Sequence, residues 1–298
     1  MIRLRFDLNM FTVTGLPAWS AAPKVGSEDF FAAVRVAGYT GIQDDDAIPA
    51  AQVAGLRMTG SARVLAPKAA TEIAVRHQAL GFDATTVHLG HGLEDAEAAS
   101  RLIEAVLNAS ASTGYPLFVE NHRATLTQDM RRTLDLIDRF PELRFNADMT
   151  NWYTGLEMPY GDFAAKLAAL APFFDRVRFM HGRIGDSACM QVAIDDRVPE
   201  PIHIGHFRDM WQRCAAGFLT HAGAGETLIF APELLPSSLI VDGARVEVNY
   251  ARHRDDGEEE SDRWAQGLRL CAIMRECFDA ARAANDPQEE LANAGRHH

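Results

Sequence analysis

Short runs rich in apolar and β-branched residues alternate with longer segments whose apolar residues recur every three to four positions. This alternation constrains the fold more than any other feature, because it is typical of βα units whose parallel strands are joined by crossover helices. The predicted strands are Arg3–Asn9, Gly41–Asp44, Arg57–Val64, Thr85–Leu89, Leu117–Glu120, Arg144–Asp148, Val177–His181 and Thr227–Pro232. The predicted helices are Phe30–Ala37, Ala69–Leu80, Ala96–Ala111, Gln128–Phe140, Phe163–Leu170, Phe207–Phe218 and Asp262–Ala284.

The number of βα units predicts a (β/α)8 barrel. The chain has 298 residues, which is enough for one such domain, and no internal repeat or linker interrupts it. A doubly wound open sheet is the alternative, but it usually has a glycine-rich turn after the first strand, and Asn9–Met10–Phe11 is not one. We therefore predict a single α/β barrel domain over residues 1–298.

Two predicted connections, residues 184–206 and 234–261, are too long to be plain turns. Long loops after barrel strands usually carry lids and substrate contacts, so we expect both at the mouth of the barrel. In the second loop, Asp242–Gly243 lies between two β-like runs and predicts a hairpin within Ser238–Tyr250.

Composition excludes several classes of protein. The formal charge of −12 disfavours nucleic acid as a partner, because an acidic surface repels phosphate backbones. Four cysteines without a CxxC pair fit a reduced, cytoplasmic setting. The first residues lack the apolar core of a signal peptide, and no run approaches the roughly 18 apolar residues of a membrane span. We expect no membrane association and leave a homo-oligomer open.

Chemically capable side chains stand at the ends of the last four predicted strands. They are Glu120, Asp148, His181 and Glu233. Adjacent strand ends converge on one mouth of a barrel, and carboxylates with one imidazole suit a divalent ion such as Mn, Mg, Co or Zn. Each residue alone could be a helix cap or an ion-pair partner, but four in succession are hard to obtain by chance. We therefore predict a site for one divalent metal ion.

Such a site favours proton transfer next to a carbonyl group. A metal ion chelated by a carbonyl and the adjacent hydroxyl acidifies the carbon-bound proton between them. A ligand glutamate could then take or return that proton.

Four stretches, 117–125, 145–152, 178–185 and 231–236, resemble the sugar phosphate isomerase/epimerase family. That family has the xylose-isomerase-like TIM barrel, which it shares with ketose 3-epimerases, hydroxypyruvate isomerases, inosose dehydratases and endonuclease IV. The resemblance extends from about residue 85 to about residue 270. It implies metal binding by Glu120, Asp148, His181 and Glu233, with Glu120 and Glu233 as the catalytic acid/base pair.

The sequence departs from the family pattern at two positions. Asn151 stands where many relatives have His, and Gln43 where relatives often have Glu. Asparagine can bind a substrate hydroxyl but is a weak metal ligand, so both changes favour a single ion over a multi-metal cluster. Asn151 is therefore a candidate for substrate binding.

Further candidates lie near the same mouth. His88 ends the fourth strand and could touch substrate, although a hydrogen-bonded wall residue is the alternative. Arg183 lies two residues after His181 and faces the same side, where it could bind an anionic oxygen or form a structural ion pair. We expect His203 and His206 to be solvent-exposed in the long loop, and Trp152 and Phe11 to lie at the mouth.

The predicted function is a divalent-metal-dependent isomerase or epimerase of a small polyhydroxylated, sugar-like substrate, acting through an enediolate intermediate. The alternative is a dehydratase that uses the same intermediate to expel a β-hydroxyl. An endonuclease-IV-like phosphodiesterase is less favoured because of the acidic charge and Asn151. A barrel that only binds a ligand is disfavoured because all four ligand types are present.

Overall fold

Eight parallel strands pair in sequence order in the computed structural model, which describes residues 2–241 and 243–285. They close into a barrel because the first strand also pairs with the eighth, Phe6 opposite Phe230. The barrel strands are β1 (Arg3–Asn9), β2 (Gly41–Gln43), β3 (Arg57–Val64), β4 (Thr85–Leu89), β5 (Leu117–Glu120), β6 (Phe145–Ala147), β7 (Val177–Gly182) and β8 (Thr227–Pro232). The predicted barrel is confirmed, and the alternative of an open sheet is wrong.

Helices connect the strands around the outside of the barrel. They are α1 (Phe30–Val36), α2 (Pro49–Val53), α3 (Pro67–Ala79), α4 (Ala96–Thr113), α5 (Met130–Arg139), α6 (Met149–Gly155), α7 (Phe163–Ala169), α8 (Ala171–Phe174), α9 (Ile202–His221) and α10 (Arg263–Ala284). A short 3-10 turn, Met10–Val13, follows β1. Within the described residues, no helix combines the length and apolar character needed to cross a membrane.

The two long loops agree with the prediction to different degrees. The first, predicted over residues 184–206, is shorter, because α9 begins at Ile202 directly after Pro201. The predicted hairpin is confirmed by the antiparallel pair β9 (Ser238–Val241) and β10 (Ala244–Glu247). Asp242 of its turn lies outside the described residues, as do residues 1 and 286–298 of the predicted domain.

An apolar layer lies beneath the polar ends of the strands. Phe179, Ile229 and Ala231 form a buried cluster, against which Phe118 packs. Side chains two residues apart on a strand share a face, so Phe118 lies below Glu120 and Phe179 below His181. The barrel thus places its candidate catalytic side chains on an apolar floor, which lowers the local dielectric constant and strengthens charge interactions.

The buried Arg263 at the start of α10 ties the loops at the mouth together. Its guanidinium is 1% exposed and pairs with Glu259 at 2.9 Å. It also donates to the carbonyl oxygens of Thr12 and Thr14, at 2.8 and 2.7 Å. These contacts hold the segment after β1 against α10, next to the end of β8.

A buried histidine couples stability to pH. His77 of α3 is 1% exposed, and its Nδ1 lies 2.7 Å from Thr85 Oγ1. The ring also packs edge-on against Phe82. Burial, with a smaller effect of the charge on Arg76, lowers the pKa of His77 from 6.5 to about 4.

We predict that His77 makes the fold acid-sensitive. The unfolded chain gains a proton on His77 near pH 6.5, whereas the folded chain does not until about pH 4. The stabilisation is therefore complete above pH 6.5 and is lost as the pH falls towards 4. Urea unfolding at pH 7.5 and 5.0 should show a drop about 2 kcal/mol larger in the wild type than in His77→Gln. The exposed control His221→Gln should behave as the wild type; an equal drop in His77→Gln would contradict the assignment.

Candidate metal centre

The four predicted ligands come together at the mouth of the barrel. Glu120, Asp148, His181 and Glu233 each offer a ligand atom, and these atoms lie within 4.8 Å of one another. The first three residues are buried, and the side chain of Glu233 is 14% exposed. The site is therefore open to solvent at Glu233 and enclosed elsewhere.

Glu120 is surrounded by nitrogen atoms at the end of β5. Its Oε2 accepts a hydrogen bond from Asn146 Nδ2 at 3.0 Å and lies 3.3 Å from His181 Nδ1. Its Oε1 lies 3.3 Å from His88 Nε2. Burial raises the pKa of Glu120, but the charges of His181 and His88 outweigh it and hold this pKa well below the usual range. These neighbouring nitrogen atoms favour the ionised form of Glu120.

Asp148 is a helix cap rather than the last residue of a strand. It precedes α6, and its carboxylate accepts hydrogen bonds from the backbone and side chain of Thr150. Arg183, which is 1% exposed, donates to Asp148 and also to Glu233 Oε2 at 3.1 Å. Burial lowers the pKa of Arg183, but these two carboxylates outweigh it and raise the pKa. The structural ion pair considered for Arg183 is therefore present, and its partners are two of the candidate ligands.

His181 is oriented by a neighbouring amide. Its Nε2 lies 2.9 Å from Gln43 Oε1, which also accepts from Asn9 Nδ2. The other ring nitrogen, Nδ1, faces Glu120 and Glu233 at 3.3 and 3.6 Å. Burial lowers the pKa of His181, but Glu233 and Glu120 outweigh it and raise this pKa to about 9. Gln43 therefore serves as the hydrogen-bond partner of the histidine.

Side chains from neighbouring segments hold the backbone on which the candidate ligands stand. Thr12 Oγ1 donates to Pro232 O at 2.9 Å and accepts from Leu234 N at 3.0 Å. It therefore holds the backbone on both sides of Glu233. Asn121 holds the backbone of Asp148 in the same way, at 2.8 and 2.9 Å. Such contacts fix the positions of the carboxylates before any ligand arrives.

The residues fit a divalent cation. Within residues 2–241 and 243–285, three buried side-chain atoms of this site lack a hydrogen-bond partner: Glu120 Oε1, Asn146 Oδ1 and Arg183 Nη1. Buried polar atoms are nearly always paired, and the two oxygens among these are acceptors that a cation could satisfy, whereas the Arg183 nitrogen is a donor. Three carboxylates and an imidazole whose far nitrogen is held by an amide are a suitable donor set for a hard or borderline metal ion.

The two remaining residues predicted to bind substrate, His88 and Asn151, differ in their contacts. His88 lies at the site, 3.3 Å from Glu120. Asn151 is 6% exposed, and its Oδ1 accepts a hydrogen bond from Arg123 N at 3.2 Å, a contact within the protein. The roles of both residues in substrate binding stay predictions.

Three minor predictions are wrong. His203 and His206 lie on α9 and are half-buried, and His206 stacks on Phe163 with ring centroids 3.7 Å apart. Trp152 is 1% exposed and packs against Phe173 in the core, so it does not reach the mouth. For His206 and Trp152, packing against a neighbouring aromatic residue draws the side chain away from solvent.

Sequence reasoning missed further side chains at the mouth. His122 stacks on His88, with ring centroids 4.1 Å apart, and forms with His88 and Glu120 a second group of potential metal ligands within 4.8 Å. Tyr250 contacts the guanidinium groups of Arg123 and Arg183. For His122, the only signal in the sequence was its position two residues after Glu120. Tyr250 lies in a loop where no sequence pattern marks it.

We predict that Glu233→Gln lowers the affinity for a divalent ion while the protein stays folded. The amide keeps the size of the side chain but removes a charged ligand atom. Metal content after dialysis against limiting Mn²⁺, measured by elemental analysis, should fall at least about tenfold, the usual scale for damage to a metal site. The exposed control Glu97→Gln should bind as the wild type; unchanged metal content in Glu233→Gln would remove Glu233 from the ligand set.

We also predict that Arg183→Met destabilises the metal-free protein by about 3 kcal/mol, since it leaves two carboxylates without their buried partner. Saturating Mn²⁺ should recover much of this loss, because a cation would compensate the same carboxylates. Urea unfolding with EDTA and with Mn²⁺ measures both values, with Arg213→Met, at an exposed position of α9, as control. Equal stability of Arg183→Met and the wild type in EDTA would show that the ion pairs contribute nothing.

Comparison with known proteins supports the fold. No family model matches the sequence, and no curated protein matches it. Among solved structures, a xylose isomerase domain protein from Planctomyces limnophilus superposes with a TM-score of 0.51 at 14% identity, over 93% of this chain and 98% of that one. Endonuclease IV from Thermus thermophilus gives a TM-score of 0.47 at 17% identity, over 91% of this chain and 99% of that one. The first of these supports a xylose-isomerase-like barrel as the fold of this chain.

Proposed function

We propose that this protein is a divalent-metal-dependent isomerase or epimerase of a sugar-like, polyhydroxylated substrate. The observation that carries the proposal is the convergence of Glu120, Asp148, His181 and Glu233, with two glutamates beside one imidazole nitrogen. Two carboxylates at the same reacting carbon allow a proton to be removed by one and returned by the other.

The four residues would hold the ion and leave room for substrate oxygens. When bound, a divalent ion at this position would polarise a substrate carbonyl and the adjacent hydroxyl, which makes the intervening carbon-bound proton more acidic. Mn, Mg, Co and Zn all accept carboxylates with one imidazole.

Glu120 and Glu233 differ in their surroundings, which suggests different tasks. Glu120 is 1% exposed and held in its ionised form by His181 and His88. Glu233 is partly exposed and shares Arg183 with Asp148. A proton on Glu233 can exchange with water more readily than a proton on Glu120. Reprotonation at the neighbouring carbon gives isomerisation, and reprotonation on the opposite face gives epimerisation.

Arg183 would stabilise the negative charge that develops on the substrate oxygen as the proton leaves. Its Nη1 has no hydrogen-bond partner among the described residues, so one donor is free for this purpose. Because the guanidinium is already fixed by Asp148 and Glu233, little reorganisation is needed when charge appears.

A dehydratase is the second candidate, and His88 is the residue that favours it. Loss of a β-hydroxyl needs a proton donor for the leaving oxygen. His88 is 23% exposed, and burial lowers its pKa, but the nearby carboxylate of Glu120 outweighs it and raises the pKa. A protonated His88 could fill the role of donor, and product analysis on sugars and inososes separates the two reactions.

We predict that turnover in heavy water places deuterium on the substrate carbon that loses its proton. A carboxylate at the mouth exchanges its proton with solvent before returning it, whereas a hydride shift between carbons carries the original hydrogen across. Mass spectrometry and proton NMR of the product from a sugar panel measure the label.

Two variants sharpen this test. Glu120→Gln and Glu233→Gln preserve shape but remove the base, so at saturating Mn²⁺ they should lower kcat by at least about 100-fold, with a smaller effect on substrate binding. Glu97→Gln, an exposed residue of α4, should retain activity and labelling. An unlabelled product formed at the normal rate would refute the proton-transfer mechanism.

A further inference from the structure

We propose that the protein has a second binding site, for a small organic anion with an apolar part, at the end of the barrel opposite the mouth. The site is a cavity of about 460 Å³ that lies at the amino ends of the strands. It does not depend on the proposed function, because it shares no residue with the candidate metal centre.

Four arginines line this cavity, and each stands near the beginning of a barrel strand. They are Arg5, Arg57, Arg144 and Arg178. Arg57 begins β3, Arg144 directly precedes β6, and Arg178 is the second residue of β7. The amino ends of the parallel strands meet at one edge of a barrel, so residues far apart in sequence collect there. Four positive charges in one cavity are unexpected in a chain with 41 acidic and 29 basic residues.

Two of these arginines are paired with carboxylates of the protein itself. Arg5 contacts Asp7 at 2.8 Å and Asp83 Oδ2 at 2.6 Å. Arg57 Nε donates to the same oxygen of Asp83 at 2.8 Å. Two positive and two negative charges therefore compensate each other on this side of the cavity.

Arg144 and Arg178 have one carboxylate between them. Arg178 is 7% exposed, and its Nε lies 3.6 Å from Glu226 Oε2, which is too far for a hydrogen bond. Arg144 forms no ion pair within residues 2–241 and 243–285. Its side-chain hydrogen bonds there use Nη1 alone, which donates to Pro141 O and Leu143 O at 3.1 and 2.9 Å. The Nε and Nη2 groups of Arg144 are therefore available to a ligand.

An excess of positive charge remains around Arg144. Arg176 Nε donates to Pro141 O at 3.2 Å, so two guanidinium groups lie on the same carbonyl oxygen. Burial, and after it the charge of Arg176, lower the pKa of Arg144. Burial, and after it the charge of Arg144, lower the pKa of Arg178. A bound anion would offset this repulsion and accept hydrogen bonds from the free N–H groups of Arg144.

The rest of the cavity wall is apolar. Ala84, Pro116, Phe118 and Ile229 contribute to it, and Phe118 packs against the apolar layer beneath the candidate metal ligands. A bare inorganic anion would leave this surface in contact with water, whereas an attached ring or alkyl chain would cover it. The volume also lies within the roughly 300–1,000 Å³ of sites that bind small organic molecules.

The test uses benzoate as the probe, with benzamide as its neutral counterpart and acetate as an anion without the ring. Each compound is titrated into the full chain by calorimetry, in EDTA and in saturating Mn²⁺. We expect benzoate to bind at least about tenfold more tightly than either benzamide or acetate, the scale of one charged hydrogen-bonded contact. The affinity should be the same with and without Mn²⁺, because the cavity lies at the opposite end of the barrel from the candidate metal centre.

Variants of one arginine locate the binding. Arg144→Gln removes the unpaired charge and should abolish the preference for benzoate over benzamide. Arg144→Lys keeps the charge but loses the planar fork of donors, so it should retain part of the preference. Arg123→Gln, the same replacement at the mouth, is the matched control and should bind benzoate as the wild type does. Thermal unfolding without ligand verifies that each variant is folded.

Three results would overturn the proposal: benzoate binds no more tightly than benzamide, Arg144→Gln keeps the full preference, or the affinity for benzoate changes with Mn²⁺. Equal affinities for acetate and benzoate would refute the apolar part of the ligand. An arginine that served only the fold would affect unfolding of the variants while the protein bound none of the probes, which also contradicts the proposal.

Discussion

Repulsion between three carboxylates is the constraint that the other side chains at the mouth of this barrel have to compensate. Glu120, Asp148 and Glu233 lie close together where solvent is largely excluded, and like charges repel strongly at a low dielectric constant. Arg183 lies against Asp148 and Glu233, and His181 against Glu120 and Glu233. A protein that needed only stability would achieve it more simply with apolar residues. The cluster is therefore costly for the fold, and it forms the candidate site of the metal ion proposed above.

The closed barrel makes this arrangement possible because it determines which side chains meet. Alternation along β5 and β7 puts Glu120 and His181 directly above Phe118 and Phe179, so the same strands provide the polar layer and its apolar floor. Contacts between distant segments then fix the loops at the strand ends. Thr12, from the segment after β1, brackets Glu233 at the end of β8, although more than 200 positions separate them in sequence. The backbone at Asp148 and Glu233 is thus held by a neighbouring βα unit.

The barrel and the convergence of four strand-end residues could be predicted from the sequence, for a specific physical reason. Parallel strands are buried on both faces, so they read as short apolar runs, and the polar residue that ends each run is easily seen. Asp148 shows the limit of this reasoning: the strand ends at Ala147, and Asp148 caps a helix that has no clear apolar period. Its carboxylate still reaches the site because the cap lies at the same edge of the barrel.

Contacts that depend on the path of loops could not be predicted. The ion pairs of Arg183, the hydrogen bond from Arg123 to Asn151 and the position of Tyr250 join segments far apart in sequence. Periodicity carries no information on which loop residues face each other across a mouth. The extent of α9 was missed as well, since the segment before Phe207 contains Gly205 and two histidines, a poor helical pattern that the contacts of His206 with Phe163 and Tyr153 override.

This division between strand ends and loops separates two questions about function. The strand-end residues of a barrel determine which chemistry is available, because catalytic side chains in this fold stand at the ends of several strands. The loops determine which molecule is presented to them, because they supply the contacts away from the reacting atoms. The fold is shared with a xylose isomerase domain protein at 14% identity, and a likeness at this level shows the fold alone. What binds at this mouth must therefore be inferred from the chain's own loop residues, such as Arg123 and Tyr250, and not from the fold.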